Sequence, residues 1–465
     1  MTASRSFSAL GAGDRALAIL DKGTFRPLYG SSPGDPLLLG KGRIAGEPVL
    51  VALSDGNAKG GTFGKYEAGL LARLIKDAER KRKQLPALVI GLDTGGVRVQ
   101  EGPAALAALS AVAVSLARLS LHGVRAVSII SGKRGCFGAP AVMAALPGHV
   151  VMTADSNWGL TGPMLFGEVR RERAQARDAL AATSAATRKR NRDAHVVADD
   201  VDAVRAELLR FLGSRPPRVN SPAKSIAASA AVVKRLRLRL RRSKYRAPTV
   251  PRRHRDLLRY SFRGQWKPNG KVERGGLVEA ALGTLGDYKA LSLIIGPERA
   301  EGSGVGIEEA ALITEMIRRI TKMPGPKATI AVFLFCQGHV VDVAQERFGL
   351  PRALAECLRA MVAARLRGHP IVTVLGGGTY GAAYLALAAP SHRVLAMRGT
   401  SIAPMSPEVL RAFQSLRGAK PGLEPEAQLA ELIPAIRIVE SVIRLPRAMR
   451  DEMTGLRRQL ASAAK

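Results

Sequence analysis

The sequence predicts an α/β protein made of two related units in tandem, each built around a largely parallel sheet. The first observation is a recurring order of apolar strand, glycine-rich turn and helix, which is typical of parallel sheets with helices packed against them. The second is that strand, glycine turn, alanine-rich helix and strand follow one another at 126–152 and again at 371–397, which indicates a duplicated unit. The third is a length of 465 residues, 46% of them hydrophobic and only 4% aromatic, with 48 glycines. The length is enough for roughly two to three compact domains. The hydrophobic content is not typical of a disordered chain.

Apolar runs mark the strands of the first half. The run at 87–92 (ALVIGL) is continuous and is followed by Asp93, Thr94 and two glycines, as expected for a buried strand that ends in a tight turn. Apolar residues at helical spacing lie between such runs. We therefore predict strands at 48–53, 87–92, 126–130 and 150–153, and helices at 69–82 and 103–119.

The second half repeats this plan with different residues. The run at 371–375 (IVTVL) leads into three glycines, Gly376 to Gly378, and a helix is expected from Tyr380 onward. We predict strands at 291–295, 329–335, 371–375 and 393–397, and helices at 308–320, 351–367 and 380–389.

A strongly basic segment separates the halves. Residues 231–275 contain 16 Lys or Arg against two acids, in a chain of formal net charge +33. Such a field attracts nucleic acid, acidic proteins or phosphate-bearing ligands such as coenzyme A. The alternation of Arg and Leu within it could form a strand with one charged face or an interfacial segment. Because 251–275 is rich in Arg, Gly and Pro, we interpret the segment as a solvated linker or an extended arm. The predicted domains are accordingly 1–225, the linker 226–280, and 281–465.

Cysteine usage and hydropathy indicate a cytoplasmic protein. Cys136, Cys336 and Cys357 lie far apart without a CxxC pair, which argues against a disulfide framework or a four-cysteine zinc site. No signal peptide is expected, since no apolar run precedes a cleavage site near the first residues. The apolar stretch 103–119 is interrupted by Arg118 and is shorter than the about 20 residues that span a bilayer. We expect a buried helix there, and no membrane association.

Two glycine-rich turns that begin helices are the candidate catalytic elements. Backbone N–H groups at a helix N-terminus converge and stabilise a developing oxyanion. The first half offers Gly138 and Ala139, and the second offers Gly381, Ala382 and Ala383. The same small residues also permit a helix to pack closely on a sheet, and local composition leaves both explanations open.

Other site patterns are missing from the sequence. The glycine-rich loops match neither a P-loop nor a dinucleotide-binding motif. There is no HExxH motif and the seven histidines show no ligand spacing, so no metal site is expected. We interpret His339, His369 and His392 as structural or exposed, and Glu101 as the partner of Arg98 in a structural ion pair.

Four motifs occur in order in the first half, and they carry a family resemblance. They are GRIAGEPVLVALSDGNAKGGTFG (42–64), DTGGVRVQEG (93–102), RGCFGAPAVMAAL (134–146) and GLTGP (159–163). Together they resemble the acyl-CoA carboxylase carboxyltransferase family of the crotonase-like superfamily, and most of all the β subunit of biotin-independent malonate decarboxylase. The second half is similar to the γ subunit of that enzyme through RLRGHPIVTVLGGGTYGAAYLALAAPSHRVLAM (365–397). The resemblance thus identifies 1–225 as β-like and 281–465 as γ-like, fused in one chain.

The resemblance implies two tandem crotonase-like (β-β-α spiral) carboxyltransferase domains with the active site between them. It implies decarboxylation of a malonyl thioester to an acetyl thioester and CO2, through an enolate stabilised by backbone N–H groups. The substrate would be carried on the phosphopantetheine-type arm of an acyl carrier protein that an acyl-carrier transferase loads, with no cofactor bound covalently; a homo-oligomer is left open. The implied oxyanion positions are Gly138 and Ala139, then Gly381, Ala382 and Ala383, and the implied pocket residues are Thr94, Gly95, Gly96, Gln100 and Gly162.

Two alternative functions stay open at this point. A biotin-dependent acyl-CoA carboxyltransferase would use the same site, and biotin would arrive on another protein because the chain has no Met-Lys-Met biotinylation motif. A non-catalytic scaffold would instead bind nucleic acid through 231–275. A solvated face, or a docking patch for an acidic carrier protein, is the simpler explanation of the charge.

Overall fold

The protein is a mixed α/β structure with two large sheets, each with a parallel core. It is described by a computed structural model. The residues that the structure describes are 5–82, 87–170, 173–214, 221–243, 245, 266–268, 272–285, 288–296, 304–417, 433 and 435–463.

The first sheet contains seven strands in chain order. Strands β1 to β3 pair antiparallel and β3 to β7 pair parallel. The parallel strands are continuous apolar runs because both faces of the sheet are covered, and every residue of β4 is buried. The strands are β1 Arg26–Pro27, β2 Leu37–Ile44, β3 Glu47–Ser54, β4 Ala87–Leu92, β5 Ala126–Ile130, β6 His149–Thr153 and β7 His195–Val197.

Helices cover both faces of this sheet. Helices α1 and α8 form a core with one face, and α2, α3 and α4 form a core with the other. The helices are α1 Ala12–Ile19, α2 Lys65–Arg80, α3 Gly102–Leu121, α4 Ala139–Ala145, α5 Pro163–Arg170, α6 Arg173–Thr183, α7 Ala185–Asn191 and α8 Val201–Gly213.

The second sheet has the strand order β17-β15-β13-β12-β11-β10-β8, and β9 also pairs with β10. Strands β8 to β11 pair antiparallel, and β11, β12, β13, β15 and β17 pair parallel. The strands are β8 Trp266–Pro268, β9 Glu273–Gly275, β10 Val278–Leu285, β11 Tyr288–Ile295, β12 Thr329–Leu334, β13 Ile371–Leu375, β14 Gly378–Tyr380, β15 Arg393–Met397, β16 Ser401–Ala403 and β17 Ile436–Val439.

The remaining helices belong to the second half and to the segment before it. They are α9 Pro222–Arg242, α10 Ile307–Ile320, α11 Val343–Arg347, α12 Leu350–Leu366, α13 Gly381–Ala383, α14 Pro407–Arg417 and α15 Leu445–Ala463, and a π-helical turn Tyr384–Ala388 continues α13.

The two halves have the same plan. An antiparallel hairpin (β2–β3, or β10–β11) supplies one strand to a series of parallel strands. The first helix after the hairpin begins with the same capping contact in both halves. The Gly64 N–H donates to Glu67 Oε2 at 3.0 Å, and the Gly306 N–H donates to Glu309 Oε2 at 2.9 Å. The predicted fold class of two tandem α/β units, each with a largely parallel sheet, is confirmed.

A second, shorter layer of parallel pairing lies beyond the carboxyl ends of the main strands. In the first half it consists of single parallel bridges that join Thr94 to Cys136 and Cys136 to Trp158. In the second half, β14 pairs parallel with β16, and a bridge joins Val305 to His339. These short pairings fix the turns that follow the main strands.

The halves share one apolar core. Helix α12 of the second half packs against α3 and α4 of the first, and their buried side chains belong to a single cluster. Across this contact, Arg359 Nη2 donates to the carbonyl oxygen of Leu146 at 2.6 Å. A site between the halves therefore has rigid walls.

The interpretation of 226–280 as a solvated linker or extended arm is wrong where the structure describes this segment. Residues 222–242 form α9, which packs on α10 and α12. Ile226, Val233, Leu236 and Leu240 are at most 3% exposed, and their spacing of three, four and seven is that of one helix face. The alternation of Arg and Leu concealed this longer period. The end of the segment belongs to β9 and β10, and 246–265 lies outside the described residues.

The apolar helix predicted at 103–119 corresponds to α3. The stretch Val99–Leu121 is, among the described residues, the one helix that by length and composition alone could cross a membrane. Its most apolar part is 56% buried inside the protein, and Leu106, Leu109 and Leu116 are fully buried. The prediction of a buried core helix is confirmed.

Candidate functional site

A cavity of about 80 Å³ lies between the two halves, where α4 and α13 begin. Gly138 and Ala139 line it from the first half, and Gly381 and Ala382 line it from the second. The structure thus brings four of the predicted oxyanion residues to one cavity. Ala383 is buried one position further along α13 and does not line it.

The backbone at the first helix N-terminus offers one N–H group to the cavity. Gly138 has a φ of +69°, a conformation that favours glycine. Its own N–H donates to the carbonyl oxygen of Leu160 at 3.0 Å, so it is not available to a ligand. Ala139 follows, and among the hydrogen bonds of the described residues none uses its N–H. Pro140 has no N–H.

The second N-terminus offers two adjacent N–H groups. Gly381 has a φ of +49° and an added Cβ would lie 2.8 Å from the carbonyl oxygen of Pro404. In the described part of the chain, the N–H groups of Gly381 and Ala382 donate to no acceptor outside the helix, as expected for the first turn. Helix N-termini from both halves therefore face one cavity, an arrangement that stabilises negative charge on a bound oxygen.

A buried carboxylate from the second half holds the loop beside the first N-terminus. Glu346 on α11 is fully buried, and its Oε1 accepts the N–H groups of Leu160 at 3.0 Å and Thr161 at 2.9 Å. Because the Leu160 carbonyl oxygen accepts the Gly138 N–H, Glu346 indirectly sets the position of Ala139. Sequence reasoning missed Glu346, since nothing in its local pattern marks a contact with a loop 186 residues away.

Burial controls the electrostatics of Glu346. It raises the pKa of this carboxyl group from 4.5 to about 7, although the two N–H donors and the Arg188 guanidinium oppose the shift. Gly159 makes the approach possible, because an added Cβ there would lie 2.5 Å from Thr183 Cγ2 and 3.0 Å from Glu346 Oε2.

His339 lies in the cavity wall, which corrects the interpretation of this residue as merely structural or exposed. Its Nε2 lies 3.0 Å from Thr161 Oγ1, and both residues line the cavity. Burial lowers the pKa of His339 to about 4. The imidazole is therefore neutral at pH 7, and it offers a hydrogen bond but no positive charge to a ligand.

A wider cavity of about 550 Å³ adjoins the first and shares Gly138, Ala139 and Leu160 with it. Three exposed cations line this wider cavity: Lys133, Arg134 and Arg177. Because these side chains are positively charged, the wider cavity suits a ligand whose phosphate stays near the surface while its other end extends into the smaller cavity. The predicted pocket residues Gly95, Gly96 and Gly162 also line it.

Two predicted pocket residues do not line either cavity. Thr94 is fully buried, and its Oγ1 accepts the Gly96 N–H at 3.1 Å, so it shapes the turn from behind. Gln100 is exposed on a short 3-10 turn that follows. The neighbouring ion pair between Arg98 and Glu101, predicted as structural, is confirmed at 2.6 Å.

Family models match the chain over most of its length. The carboxyl transferase domain model matches residues 22–417, which includes both helix N-termini and every strand of the two sheets except β17. The chain belongs to the carboxyl transferase domain family. The family that the sequence motifs predicted is thereby confirmed.

Curated relatives of the chain include carboxyl transferases named for different acyl groups. It is 29% identical over 187 residues to the malonyl-S-ACP:biotin-protein carboxyltransferase of Malonomonas rubra, covering 34% of this chain and 58% of that protein. It is 29% identical over 406 residues to the acetyl-coenzyme A carboxylase carboxyl transferase subunits beta/alpha of Saccharopolyspora erythraea, covering 81% and 66%. The chain thus spans less than two thirds of the length of either relative.

Solved structures include a Pseudomonas malonate decarboxylase hetero-tetramer in complex with malonate. This chain is 30% identical to it with a TM-score of 0.41, over 46% of this chain and 86% of that chain. The transcarboxylase 12S structure matches at 18% identity and a TM-score of 0.40, over 97% and 89%.

Proposed function

We propose that the protein decarboxylates a malonyl thioester, releasing CO2 and leaving an acetyl thioester. The observation that carries the proposal is the meeting of two helix N-termini, one from each half, at a single cavity. The name of the Malonomonas relative, a malonyl-S-ACP carboxyltransferase, supports malonyl as the acyl group.

The chemistry requires an oxygen that gains charge as a carbon–carbon bond breaks. When the bond between the α-carbon and the carboxylate breaks, its electron pair moves into the thioester and forms an enolate. A proton then adds to the α-carbon and gives acetyl. N–H groups placed at the thioester oxygen stabilise the enolate, and each such donor is worth about 3 kcal/mol of barrier. In the proposal, Ala139 on one side, and Gly381 with Ala382 on the other, supply these N–H groups.

The apolar part of the cavity wall favours loss of the carboxylate. Leu160, Leu165, Val341 and Val409 line it beside the N–H groups. A carboxylate in such surroundings loses its hydration, whereas CO2 needs none, so the wall favours the product side of the bond cleavage.

The wider cavity supports a substrate carried on a phosphopantetheine-type arm. Its exposed Lys133, Arg134 and Arg177 suit the phosphate of such an arm, and the net charge of +33 suits an acidic acyl carrier protein. An acyl-carrier transferase would load that carrier, and no cofactor is bound covalently to this chain in the proposal. The three buried free thiols support a reducing, cytoplasmic location.

Carbon dioxide release tests the proposal. Purified protein is incubated with malonyl carrier protein, or with malonyl-CoA as a surrogate, in biotin-free buffer, and labelled CO2 is collected. We expect release with at least one carrier. Release with neither substrate would refute the proposal.

A matched pair of glycine variants tests the role of the second N-terminus. Gly381→Ala places a Cβ 2.8 Å from a carbonyl oxygen at a φ of +49°, so we expect kcat to fall about 100-fold. Gly399→Ala introduces a Cβ at a φ of +78° with nothing within 4 Å, and should keep wild-type activity. Equal activities of the two variants would exclude the α13 N-terminus from the reaction.

A biotin-dependent carboxyl transfer is the second candidate, and the name of the Malonomonas relative, a malonyl-S-ACP:biotin-protein carboxyltransferase, favours it. Two sets of N–H groups can hold two oxygens, here the enolate oxygen and the urea oxygen of biotin. Transfer of label from malonyl thioester to a biotinylated partner protein, blocked by avidin, would favour this function over decarboxylation.

A further inference from the structure

A cluster of two histidines and a glutamate lies on the first sheet, away from the cavity. His149 begins β6 and His195 begins β7. These strands are adjacent and parallel, so both imidazoles lie at the amino-terminal edge of the sheet. Glu207 reaches the same edge from α8. The cavity between the halves follows the carboxyl ends of the strands, so the cluster is a separate feature that the proposed function does not use.

The ligand atoms of the three side chains lie close together, and the exposed His195 ring, stacked on that of His149 with centroids 4.4 Å apart, would turn to direct its Nδ1 at a shared ion. Oε1 of Glu207 lies 3.3 Å from His149 Nε2 and 3.5 Å from His195 Nδ1. All three atoms lie within 4.8 Å of one another. In a tetrahedral zinc site with bonds of about 2.0–2.1 Å, neighbouring ligand atoms are about 3.3 Å apart. Both distances to the carboxylate match this spacing.

A cluster held together by hydrogen bonds alone explains the arrangement of the three side chains less well than a metal site does. His149 Nε2 is buried, and no hydrogen bond satisfies it in spite of the nearby carboxylate. A buried polar atom without a partner is costly.

The surroundings have the features of a metal site with an open position. Glu207 Oε2 is held by the guanidinium of Arg210, which leaves Oε1 directed at the imidazoles, as outer partners do for metal ligands. Phe211 packs on the His149 ring, with centroids 4.8 Å apart. The side chain of Glu207 is 2% exposed and that of His195 is 57% exposed, so solvent reaches the cluster from the His195 side.

We propose that His149, His195 and Glu207 bind one divalent transition-metal ion, with Zn²⁺ as the best match and water in the fourth position. Two imidazoles and a carboxylate are ligands that zinc accepts. The ion would join the amino ends of β6 and β7 to α8, and would stabilise this edge of the sheet. The residues are far apart in the sequence, which is why histidine spacing predicts no metal site.

Calorimetric titration with Zn²⁺ tests the proposal. Untagged protein is stripped with a chelator, dialysed and titrated with Zn²⁺ alone. We expect one equivalent to bind to the wild type, and His195→Ala to bind at least about tenfold more weakly. His195 is largely exposed, so its replacement should leave the fold intact. His122→Ala is the matched control, because His122 also faces a carboxylate, that of Glu79, at 3.1 Å.

A spectroscopic readout separates the cluster from other zinc-binding groups. Co²⁺ in a tetrahedral site with two imidazole ligands gives visible absorption bands, and we expect these bands in the wild type and in His122→Ala but not in His195→Ala. The proposal is overturned if the wild type binds no metal, if His195→Ala binds as tightly as the wild type, or if His122→Ala loses binding equally.

Discussion

Replacing Glu346 by Gln keeps the size of the side chain and removes its charge. In the folded protein, burial raises the pKa of Glu346 from 4.5 to about 7. The folded state therefore binds this proton more tightly than the unfolded chain does. The stabilisation of the folded state by this bound proton is complete below pH 4.5 and is lost as the pH rises through 7. The difference of about 2.5 pKa units corresponds to about 3 kcal/mol. Because Gln does not titrate, we expect the stability of the wild type relative to Glu346→Gln to fall by up to about 3 kcal/mol from pH 5 to pH 8.

Urea unfolding at a series of pH values, together with steady-state kinetics, measures this effect. Glu309→Gln is the matched control. Glu309 is also buried with a pKa raised to about 7, and it accepts the N–H groups of Leu277 and Gly306. For both variants, the difference in free energy of unfolding from the wild type should depend on pH in the same way. Only Glu346→Gln should lower kcat, by about tenfold, because only Glu346 holds the loop at Leu160. Parallel pH profiles of wild type and Glu346→Gln, or equal losses of kcat in the two variants, would refute the reasoning.

Three further changes have defined outcomes. Gly399→Ala should unfold more readily than wild type by about 1–2 kcal/mol in urea, since its φ of +78° disfavours a Cβ, with activity retained. Gly381→Ala should lose more stability than this, because its φ is also positive and its added Cβ lies 2.8 Å from a backbone carbonyl oxygen. His339 is kept neutral because burial lowers its pKa from 6.5 to about 4. The contribution of the neutral imidazole to the stability of the folded protein is therefore complete above pH 6.5 and is lost as the pH falls toward 4. His339→Gln should remove up to about 3 kcal/mol of that acid sensitivity, and an unchanged slope in acid unfolding would contradict the assignment. Asp93→Asn leaves the buried Arg15 guanidinium, 3.1 Å away, without its counter-charge, and should cost about 3–5 kcal/mol in thermal unfolding; a loss below 1 kcal/mol would show that the pair is not needed.

The strands that the sequence predicts well have a local cause. The runs at 87–92, 126–130, 371–375 and 393–397 match the observed strands residue for residue. Each is short and mostly apolar, and glycine, proline or polar residues bound it, so the information lies within a few positions. The turns at Gly138 and Gly381 are likewise marked locally, because only glycine adopts their positive φ easily.

The features that sequence reasoning missed depend on distant contacts. Glu346 is one acid in an ordinary short helix until the fold places it beside Leu160. His339 becomes part of the cavity through a bridge to Val305 in a layer that only the folded chain forms. Helix α9 was misjudged for a different reason: its arginines dominate the local pattern, and its apolar stripe becomes visible only at helical period. The π-helical turn after α13 also has no signal in composition.

Helix α9 has a consequence for how the site is assembled. It follows the first half in the chain but packs on α10 and α12 of the second, so it acts as a tether anchored at both ends. Docking of one half onto the other is thereby an intramolecular event, governed by an effective concentration in the millimolar range for short connections and not by the amount of protein in solution. The contact of Glu346 with the Leu160 loop then forms at any dilution. A version split after α8 would need two chains to meet before its two helix N-termini could face the same cavity.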